Sequence, residues 1–482
     1  MSAVKAPPHI FRAYDIRGIF NKDISPLVFL SIGLALGALA EERGWHAGFV
    51  VGRDIRRTSD ALAKALQAGL LAAGVDVADV GVAPFGVSAF AGFSLRKSVV
   101  AFVTASHLPP EWNGLKLYLG EGIAFSEAEN EALRELVLSG KAEERSKGWS
   151  GVGASHALSM REEYIEHLSS VFDCRDFKGR VLLDCGNGCM GLVALDVMRN
   201  AGVEHVDALF PNPDWRFPNR APEPTAESIR ALREEVLRKN ADFGAAFDGD
   251  GDRVVFVDDC GRVLSAEHAA VVVAKDLLSR RKGGDNRNIV LANVECSLLL
   301  EAELEGMGAK VERIPVGHTF LTRLASQRKA IFGVESSGHF VIPEIFPFDD
   351  AMLMPLKMAE VLAKTGRKLS EIVDEMPKFY KRRVNLRCDD RIKFDVMRVL
   401  EKRLVSEFGE EKINLADGIR VDLRESSRGG AGEEEGGGWV LIRASNTEPL
   451  IRITSEAGSE EKMEEQLNAF VKRTKQVVAS FL

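Results

Sequence analysis

Short apolar runs alternate along the chain with longer stretches whose apolar residues recur at helical spacing, and one such arrangement appears three times. The first copy runs from Phe49-Val50-Val51-Gly52 through a helical stretch to Ala73-Gly74-Val75. The second begins at Val181-Leu182-Leu183-Asp184, turns through Cys185-Gly186-Asn187-Gly188 and reaches Ala201-Gly202-Val203. The third begins at Ile289-Val290-Leu291 and closes its helix at Gly308-Ala309 before Val311. Runs this short and apolar read as strands buried on both faces, and each glycine stands where a helix stops in a left-handed conformation. Strand, helix and strand of this length predict a right-handed parallel unit.

The pattern therefore predicts an α/β protein with three similar domains on parallel or mixed sheets, at residues 1–155, 156–258 and 259–375. The remainder, 376–482, breaks the pattern. Strand-like Val440-Leu441-Ile442 and Leu450-Ile451-Arg452-Ile453, followed by a helical tail from Glu460, predict a smaller α+β lid domain. The stretch SSRGGAGEEEGGG, residues 426–438, is too rich in glycine and charge to pack and reads as a mobile loop.

Length and composition agree with this division. A chain of 482 residues, 45% of them hydrophobic, exceeds what a single core organises. The formal charge of -8 is spread over mixed acidic and basic residues, with no basic stripe to neutralise nucleic-acid phosphates, so nucleic acid is not an expected partner. The longest uncharged stretch, Ser25 to Ala40, falls short of a membrane span and is interrupted by Ser31, Gly33 and Gly37. Arg12, Asp15, Arg17 and Asp23 precede it without the order of a signal peptide, so it reads as a buried helix and no membrane role is expected. Six cysteines, at 174, 185, 189, 260, 296 and 388, are too sparse to staple a secreted fold; they read as buried thiols of a cytoplasmic protein.

Four segments carry chemistry. Asp248-Gly249-Asp250-Gly251-Asp252-Arg253 lies between the apolar Phe243–Phe247 and Val254–Val257. Alternate carboxylates on a glycine-rich loop can converge on one hard cation, which would relieve their mutual repulsion. A calcium EF-hand needs glycine at its sixth position and glutamate at its twelfth, where this chain has Arg253 and Asp259. Thr104-Ala105-Ser106-His107-Leu108-Pro109-Pro110 follows the strand-like Val99–Val103 and leads to Asn113-Gly114-Leu115-Lys116. A serine at the carboxyl end of a strand can act as a covalent carrier, although many Ser-His neighbours merely complete a turn. Gly333-Val334-Glu335-Ser336-Ser337-Gly338-His339 offers groups to grip sugar hydroxyls and a histidine to move a proton, and reads equally as a polar turn. Arg443-Ala444-Ser445-Asn446-Thr447-Glu448-Pro449, with Arg452 beyond, assembles a guanidinium, hydroxyls and an amide into a phosphate cradle; an ordinary hairpin turn is the alternative.

Taken in order, TASHLP, DGDGDR, GVESSGH and RASNTEP resemble the four signatures of the α-D-phosphohexomutases. Tyr14-Asp15-Ile16-Arg17-Gly18, Gly52-Arg53-Asp54-Ile55-Arg56 and Phe348-Asp349-Asp350 extend the resemblance over nearly the whole chain. The SNT of the last signature is similar to the phosphomannomutase/phosphoglucomutase branch, where phosphoglucosamine mutases usually carry SGT. The resemblance implies four domains around a central cleft, contributing in turn the phosphoserine, the metal site, the sugar site and a phosphate-binding lid. It implies Ser106 as phosphoserine, and Mg2+ held by Asp248, Asp250, Asp252 and the serine phosphate. Lys116 and His339 would handle protons, and Arg17, His107 and Arg253 would surround the phosphoserine. Glu335 and Ser337 would hold sugar hydroxyls, and Arg443, Ser445, Asn446, Thr447 and Arg452 the distal phosphate. Two positions depart from the family: Leu108, commonly asparagine, and Val334, where a second glycine is frequent.

The implied activity interconverts the 1- and 6-phosphates of mannose, glucose or both, through a sugar 1,6-bisphosphate that serves as intermediate and activator. Phosphoglucosamine or phosphopentose mutase chemistry on the same scaffold is the nearest alternative, and a non-catalytic sugar-phosphate binding protein is an alternative of another class. The expected partner is a small sugar phosphate, and the expected assembly a monomer or homodimer.

Overall fold

The computed structural model describes residues 6–12, 14–281, 288–424, 437–445 and 448–481. Its strands fall into four sheets. The first has the order Ile16–Ile19, Trp112–Leu119, Val99–Val103, Phe49–Arg53, Val77–Val82, Ser155–Ala157. The second has the order Val254–Asp258, Phe243–Phe247, Arg180–Asp184, His205–Leu209. In the third, Lys310–Ile314, Ile289–Asn293, Phe332–Val334 and Phe340–Val341 lie side by side.

Each predicted repeat is a parallel pair. Phe49–Arg53 pairs with Val77–Val82, Arg180–Asp184 with His205–Leu209, and Ile289–Asn293 with Lys310–Ile314. The helices between them end before Gly74, Gly202 and Gly308, whose φ values of 85°, 101° and 83° are the left-handed turn that returns the chain to the sheet. Antiparallel neighbours make all three sheets mixed: Trp112–Leu119 beside Val99–Val103, Val254–Asp258 beside Phe243–Phe247, and Phe340–Val341 beside Phe332–Val334. In each case the antiparallel partner follows a segment singled out for its chemistry. Those segments are therefore the loops at the carboxyl ends of Val99–Val103, Phe243–Phe247 and Phe332–Val334, where open α/β sheets place their ligands.

The fourth sheet, ordered Tyr380–Arg387, Leu450–Ala457, Gly438–Ala444, Ile419–Asp422, Ile413–Asn414, is antiparallel throughout. Helices Lys393–Phe408 and Glu460–Ala479 bury Val396, Leu400, Leu404, Met463, Leu467 and Phe470 against Val440, Ile442 and Ile453. The glycine-rich 426–438 stretch lies outside the described residues except for Gly437 and Gly438, and Gly438 begins a strand.

The uncharged stretch after Ser25 is a buried helix, Pro26–Arg43, whose first turn is capped by the Ser25 hydroxyl accepting from Val28 N at 3.4 Å. No helix among the described residues is long and apolar enough to cross a membrane. Five of the six cysteines are buried as expected, but Cys260 is exposed. It sits in the turn after Val254–Asp258, where Asp258 Oδ1 accepts its N–H at 3.0 Å.

The first three domains share one apolar core. Phe90 of the first meets Tyr164 of the second and Phe346 of the third, with ring centroids 5.8 Å apart in both cases. Tyr164 donates to Asp350 at 2.7 Å, so the FDD segment ties the second domain to the third.

Candidate active site

Ser106 is reached by a chain of local causes. The strand Val99–Val103 is wholly buried and ends at Thr104, whose Oγ1 accepts the Ser106 N–H at 2.8 Å. Ser106 then takes φ 51°, a left-handed conformation that costs a non-glycine residue on the order of 1–2 kcal/mol. That turn aims the hydroxyl across the domain boundary, where Oγ donates to Asp248 Oδ2 at 2.8 Å. The His107 Nδ1 lies 3.3 Å from the same oxygen. Only 1% of Ser106 is exposed, so the contact is screened from bulk water.

The acidic loop turns back on itself. Val254 pairs with Phe247, and the other oxygen of Asp248 accepts the N–H groups of Gly251, Asp252 and Arg253 at 2.9, 3.1 and 3.3 Å. Gly249 has no side chain for a steric reason: a Cβ there would come within 2.6 Å of the Ser106 carbonyl oxygen. The carboxylates of Asp248, Asp250 and Asp252 offer oxygens within 4.8 Å of one another. All three side chains are buried.

Lys116, from the strand antiparallel to Val99–Val103, bridges two of them. Its Nζ lies 2.8 Å from Asp250 Oδ2 and also bonds Asp252. Although burial works against the charge, Asp250 and Asp252 hold the Lys116 ammonium well above its ordinary value. Burial also works against the Asp252 carboxylate, but Lys116, His339 and Arg253 keep it far below the carboxylate range. Asp248 goes the other way: burial and then the repulsion of Asp252 and Asp250 push it well up.

The observation that tests a cation here is what remains unpaired. Asp250 Oδ1 and Asp252 Oδ1 are buried and have no hydrogen-bond partner among the described residues. Buried carboxylate oxygens without donors are costly, and a hard divalent cation with oxygen ligands satisfies both. The residues present fit magnesium.

His339 approaches Asp252 as well, its Nδ1 lying 3.8 Å from Oδ2. Its Nε2 lies 2.8 Å from Arg253 Nε and its Nδ1 2.8 Å from Asp349 Oδ2. A guanidinium can only donate, so Nε2 is the accepting nitrogen and Nδ1 carries the proton to Asp349. Both nitrogens are thereby engaged, which removes His339, Asp252 and Asp349 as a second metal set. Tyr118 extends the line, donating to Asp349 Oδ1 at 2.8 Å and lying 2.7 Å from His318 Nδ1.

Arg17 reaches the Thr104 carbonyl and is held by Asp15 through Nε at 2.9 Å. His107 is pushed down to about 2 by burial and then by the Arg253 and Arg17 charges, so it is neutral and accepts or donates without carrying charge.

Ser106, His107, Lys116, Arg17, Arg253, His339 and the acidic triad thus form one continuous cluster. Glu335 and Ser337 adjoin it: the GVESSGH loop brings Ser337 Oγ 3.3 Å from Glu335 Oε2, and Glu335 Oε1 accepts Gly317 N at 2.6 Å. The cradle segment is the turn joining Gly438–Ala444 to Leu450–Ala457; Asn446 and Thr447 lie outside the described residues. Within the segment Glu448 is the one acid, but acids from outside it also reach its guanidiniums. Arg443 Nε donates to Asp417 at 2.8 Å and its Nη1 lies 3.5 Å from Glu295, while Arg452 pairs with Glu448 at 3.0 Å. A half-buried guanidinium needs a counter-charge of its own, and Asp417, in the bend before Ile419–Asp422, supplies one. Lys393, not singled out from sequence, donates to the carbonyls of Ser445 and Glu448, at 2.6 and 3.2 Å, and holds the turn in shape.

Sequence reasoning also passed over Asp349 as the partner of His339, and Thr104 as the link between strand and serine. Asp349 stood within the FDD motif, which was the available signal. Thr104 carried none beyond its place beside Ser106.

A serine hydroxyl facing a three-carboxylate cation site, on three mixed α/β domains and an antiparallel fourth, defines an enzyme built for phosphoryl transfer. Models of all four phosphoglucomutase/phosphomannomutase domains match the chain: alpha/beta/alpha domains I, II and III at 8–144, 162–261 and 265–380, and the C-terminal domain at 384–473. The chain belongs to the phosphoglucomutase/phosphomannomutase family. It is 34% identical to a phosphoglucomutase/phosphomannomutase of Thermococcus kodakarensis over 96% of this chain and 98% of the relative. It is 35% identical to a probable phosphoglucosamine mutase of Methanopyrus kandleri, over 96% of each chain. A crystal structure of a phosphoglucomutase/phosphomannomutase family protein from Burkholderia thailandensis superposes with a TM-score of 0.84, at 27% identity and 98% coverage of both chains.

Proposed function

We propose that this chain is a magnesium-dependent mutase that interconverts the 1- and 6-phosphates of mannose, glucose or both, with phosphorylated Ser106 as the carrier. The observation that carries this reading is the Ser106 hydroxyl directed at Asp248, 2.8 Å away, within a buried triad that keeps two carboxylate oxygens unpaired. In the first half-reaction the Ser106 Oγ–phosphorus bond breaks and a bond forms to a hydroxyl oxygen of the sugar monophosphate. The bisphosphate then turns end for end, and Ser106 takes back the other phosphoryl group.

Asp248, Asp250 and Asp252 are the residues that hold magnesium, which supplies neutralisation of charge on the transferring group. Lys116, kept charged by its two carboxylates, donates hydrogen bonds and returns a proton to the serine oxygen. Once Arg253 Nε lets go of it, His339 Nε2 takes the proton that the attacking sugar hydroxyl gives up, while Asp349 holds the Nδ1 side of the ring. Arg17, His107 and Arg253 surround the serine, Glu335 and Ser337 hold sugar hydroxyls, and Arg443, Ser445, Asn446, Thr447 and Arg452 receive the distal phosphate. Burial of Ser106 keeps water from the phosphoserine, which would otherwise make the enzyme a phosphatase. The 1,6-bisphosphate is both intermediate and activator, since it rephosphorylates a serine that has lost its group. The five buried thiols fit a cytoplasmic enzyme.

The test is Ser106→Ala assayed with mannose 1-phosphate and glucose 1-phosphate. We expect a loss of about 10^4-fold or more in kcat, the scale on which a covalent nucleophile acts; substantial turnover by the variant ends the proposal. The similarity to a probable phosphoglucosamine mutase supports a second reading, glucosamine phosphate as substrate, and parallel assays with each sugar phosphate separate the two.

A further inference from the structure

Arg56 spends every donor of its side chain on the serine loop and its support. Its Nε donates to Asp54 Oδ2 at 2.9 Å. Its Nη2 donates to the carbonyls of Ser106 and Leu108 at 2.9 and 2.6 Å. Its Nη1 donates to those of Pro109 and Trp112 at 2.6 and 3.2 Å. A guanidinium has five N–H bonds in a rigid plane, and here each has an acceptor. The side chain is fully buried, and the Phe217 ring of the second domain covers it, with its centroid 5.4 Å from Cζ.

Asp54 completes the device. Its carboxylate accepts Arg56 N at 3.0 Å, the Ser59 hydroxyl, and Thr104 Oγ1 at 2.8 Å. Thr104 Oγ1 in turn accepts the Ser106 N–H. Ser106 is thus gripped at both its main-chain groups, through Thr104 at the N–H and directly by Arg56 at the carbonyl. A left-handed serine needs such a grip, because φ 51° is not a conformation it keeps unaided. The same arrangement answers the departure at position 108. The loop is bound through the Leu108 main chain, by Arg56 at its carbonyl and by Ala105 O at its N–H, 3.0 Å away, so a side-chain amide is not required.

We infer that Arg56, anchored by Asp54, is a positioning residue for phosphoryl transfer: it holds the Ser106 turn in the left-handed form that faces the acidic triad. This rests on the reading that Ser106 carries the phosphoryl group. Lysine cannot replace it, because three donors on one nitrogen cannot reach four carbonyls spread along a loop.

The test uses the full chain with magnesium. Wild type, Arg56→Lys and Arg56→Ala are given radiolabelled glucose 1,6-bisphosphate, the rate of label transfer to Ser106 is followed, and kcat and KM are measured with glucose 1-phosphate. The clamp predicts a loss of about 100-fold in kcat and in labelling rate, with KM changed by less than about threefold, as expected for a reacting atom displaced by ~1 Å. Millimolar guanidinium restores Arg56→Ala, while Arg56→Lys stays slow. A kcat near wild type in Arg56→Lys overturns the inference, as does a defect confined to KM or a folded Arg56→Ala that guanidinium does not rescue. If Arg56→Ala does not fold, Arg56→Lys, checked by its melting curve, decides alone through the kcat and KM split. Failure of the wild type itself to take label on Ser106 overturns the phosphoserine reading instead.

Discussion

Lys116 Nζ lies 2.8 Å from Asp250 Oδ2 and also bonds Asp252, so one buried ammonium compensates two of the three carboxylates that face Ser106. The arrangement is stable because the cation is present whether or not magnesium is bound. Removing it takes the bonded ammonium from two buried acids, and losing one member of a buried ion pair costs about 3–5 kcal/mol. Lys116→Met is therefore expected to lower unfolding stability in chelator by that amount, and magnesium is expected to recover part of the loss. Equal denaturation midpoints for wild type and variant in chelator would contradict this account.

The unpaired Oδ1 atoms of Asp250 and Asp252 lead to a metal prediction. Chelation stops turnover and added magnesium restores it. Asp250→Ala removes one of those oxygens and weakens magnesium affinity by about tenfold or more, on the scale of losing one ligand interaction of ~1.4 kcal/mol. Titration calorimetry reads this directly. Unchanged affinity in the variant, with wild-type activity restored by magnesium, removes the metal assignment.

Asp350, away from the triad, gives a pH signature. Burial raises its carboxyl to about 6, even though the hydrogen bonds from Tyr164 and Met352 N oppose that rise. The folded protein then binds a proton that the unfolded chain has released, so stability is fully present below the ordinary aspartate range and is lost as pH rises through about 6. The difference corresponds to roughly 2 kcal/mol between pH 4 and pH 7. Asp350→Asn holds the neutral form at every pH and abolishes this slope. Denaturant unfolding at pH 4.5 and 7.5 measures it, and an unchanged slope in the variant would assign the dependence to other groups.

What the sequence made legible, and what it left dark, divides by the range of the interaction. The three parallel pairs were readable because strand and helix periods are local, and Gly74, Gly202 and Gly308 punctuate them. The antiparallel neighbours that mix each sheet were not, since a direction of pairing is settled by tertiary contact. Within the site, Ser106, Lys116 and the acidic loop were readable as residue types on turns between strands. The clamp of Arg56 on the Ser106, Leu108, Pro109 and Trp112 carbonyls was invisible, because main-chain acceptors leave no mark in side-chain identity. The same holds for Lys393 beneath the Ser445 turn. The counter-charges on Arg443 escaped notice for another reason. Asp417 reaches Arg443 only once the fourth domain has folded, and Glu295 only when the third and fourth domains pack.

Glu295 is where that packing meets function. It belongs to the third domain, and its Oε1 lies 3.0 Å from Arg383 and 3.5 Å from Arg443, both of the fourth. In the proposed function Arg443 must turn to the distal phosphate of the sugar, so the carboxylate and the phosphate compete for one guanidinium. The ion pair is partly open to solvent, and pairs of this kind are worth about 0.2–1 kcal/mol. Releasing it by Glu295→Gln keeps the shape of the side chain and removes the competing charge. Phosphate capture should then tighten, with KM for glucose 1-phosphate falling by about two- to fivefold, the equivalent of up to ~1 kcal/mol. Since Glu295 touches no reacting atom, kcat should change less than KM. High salt screens the same pair, so the advantage of the variant should shrink as ionic strength rises. A KM that rises in Glu295→Gln would mean that the contact organises the cradle for phosphate instead of competing with it.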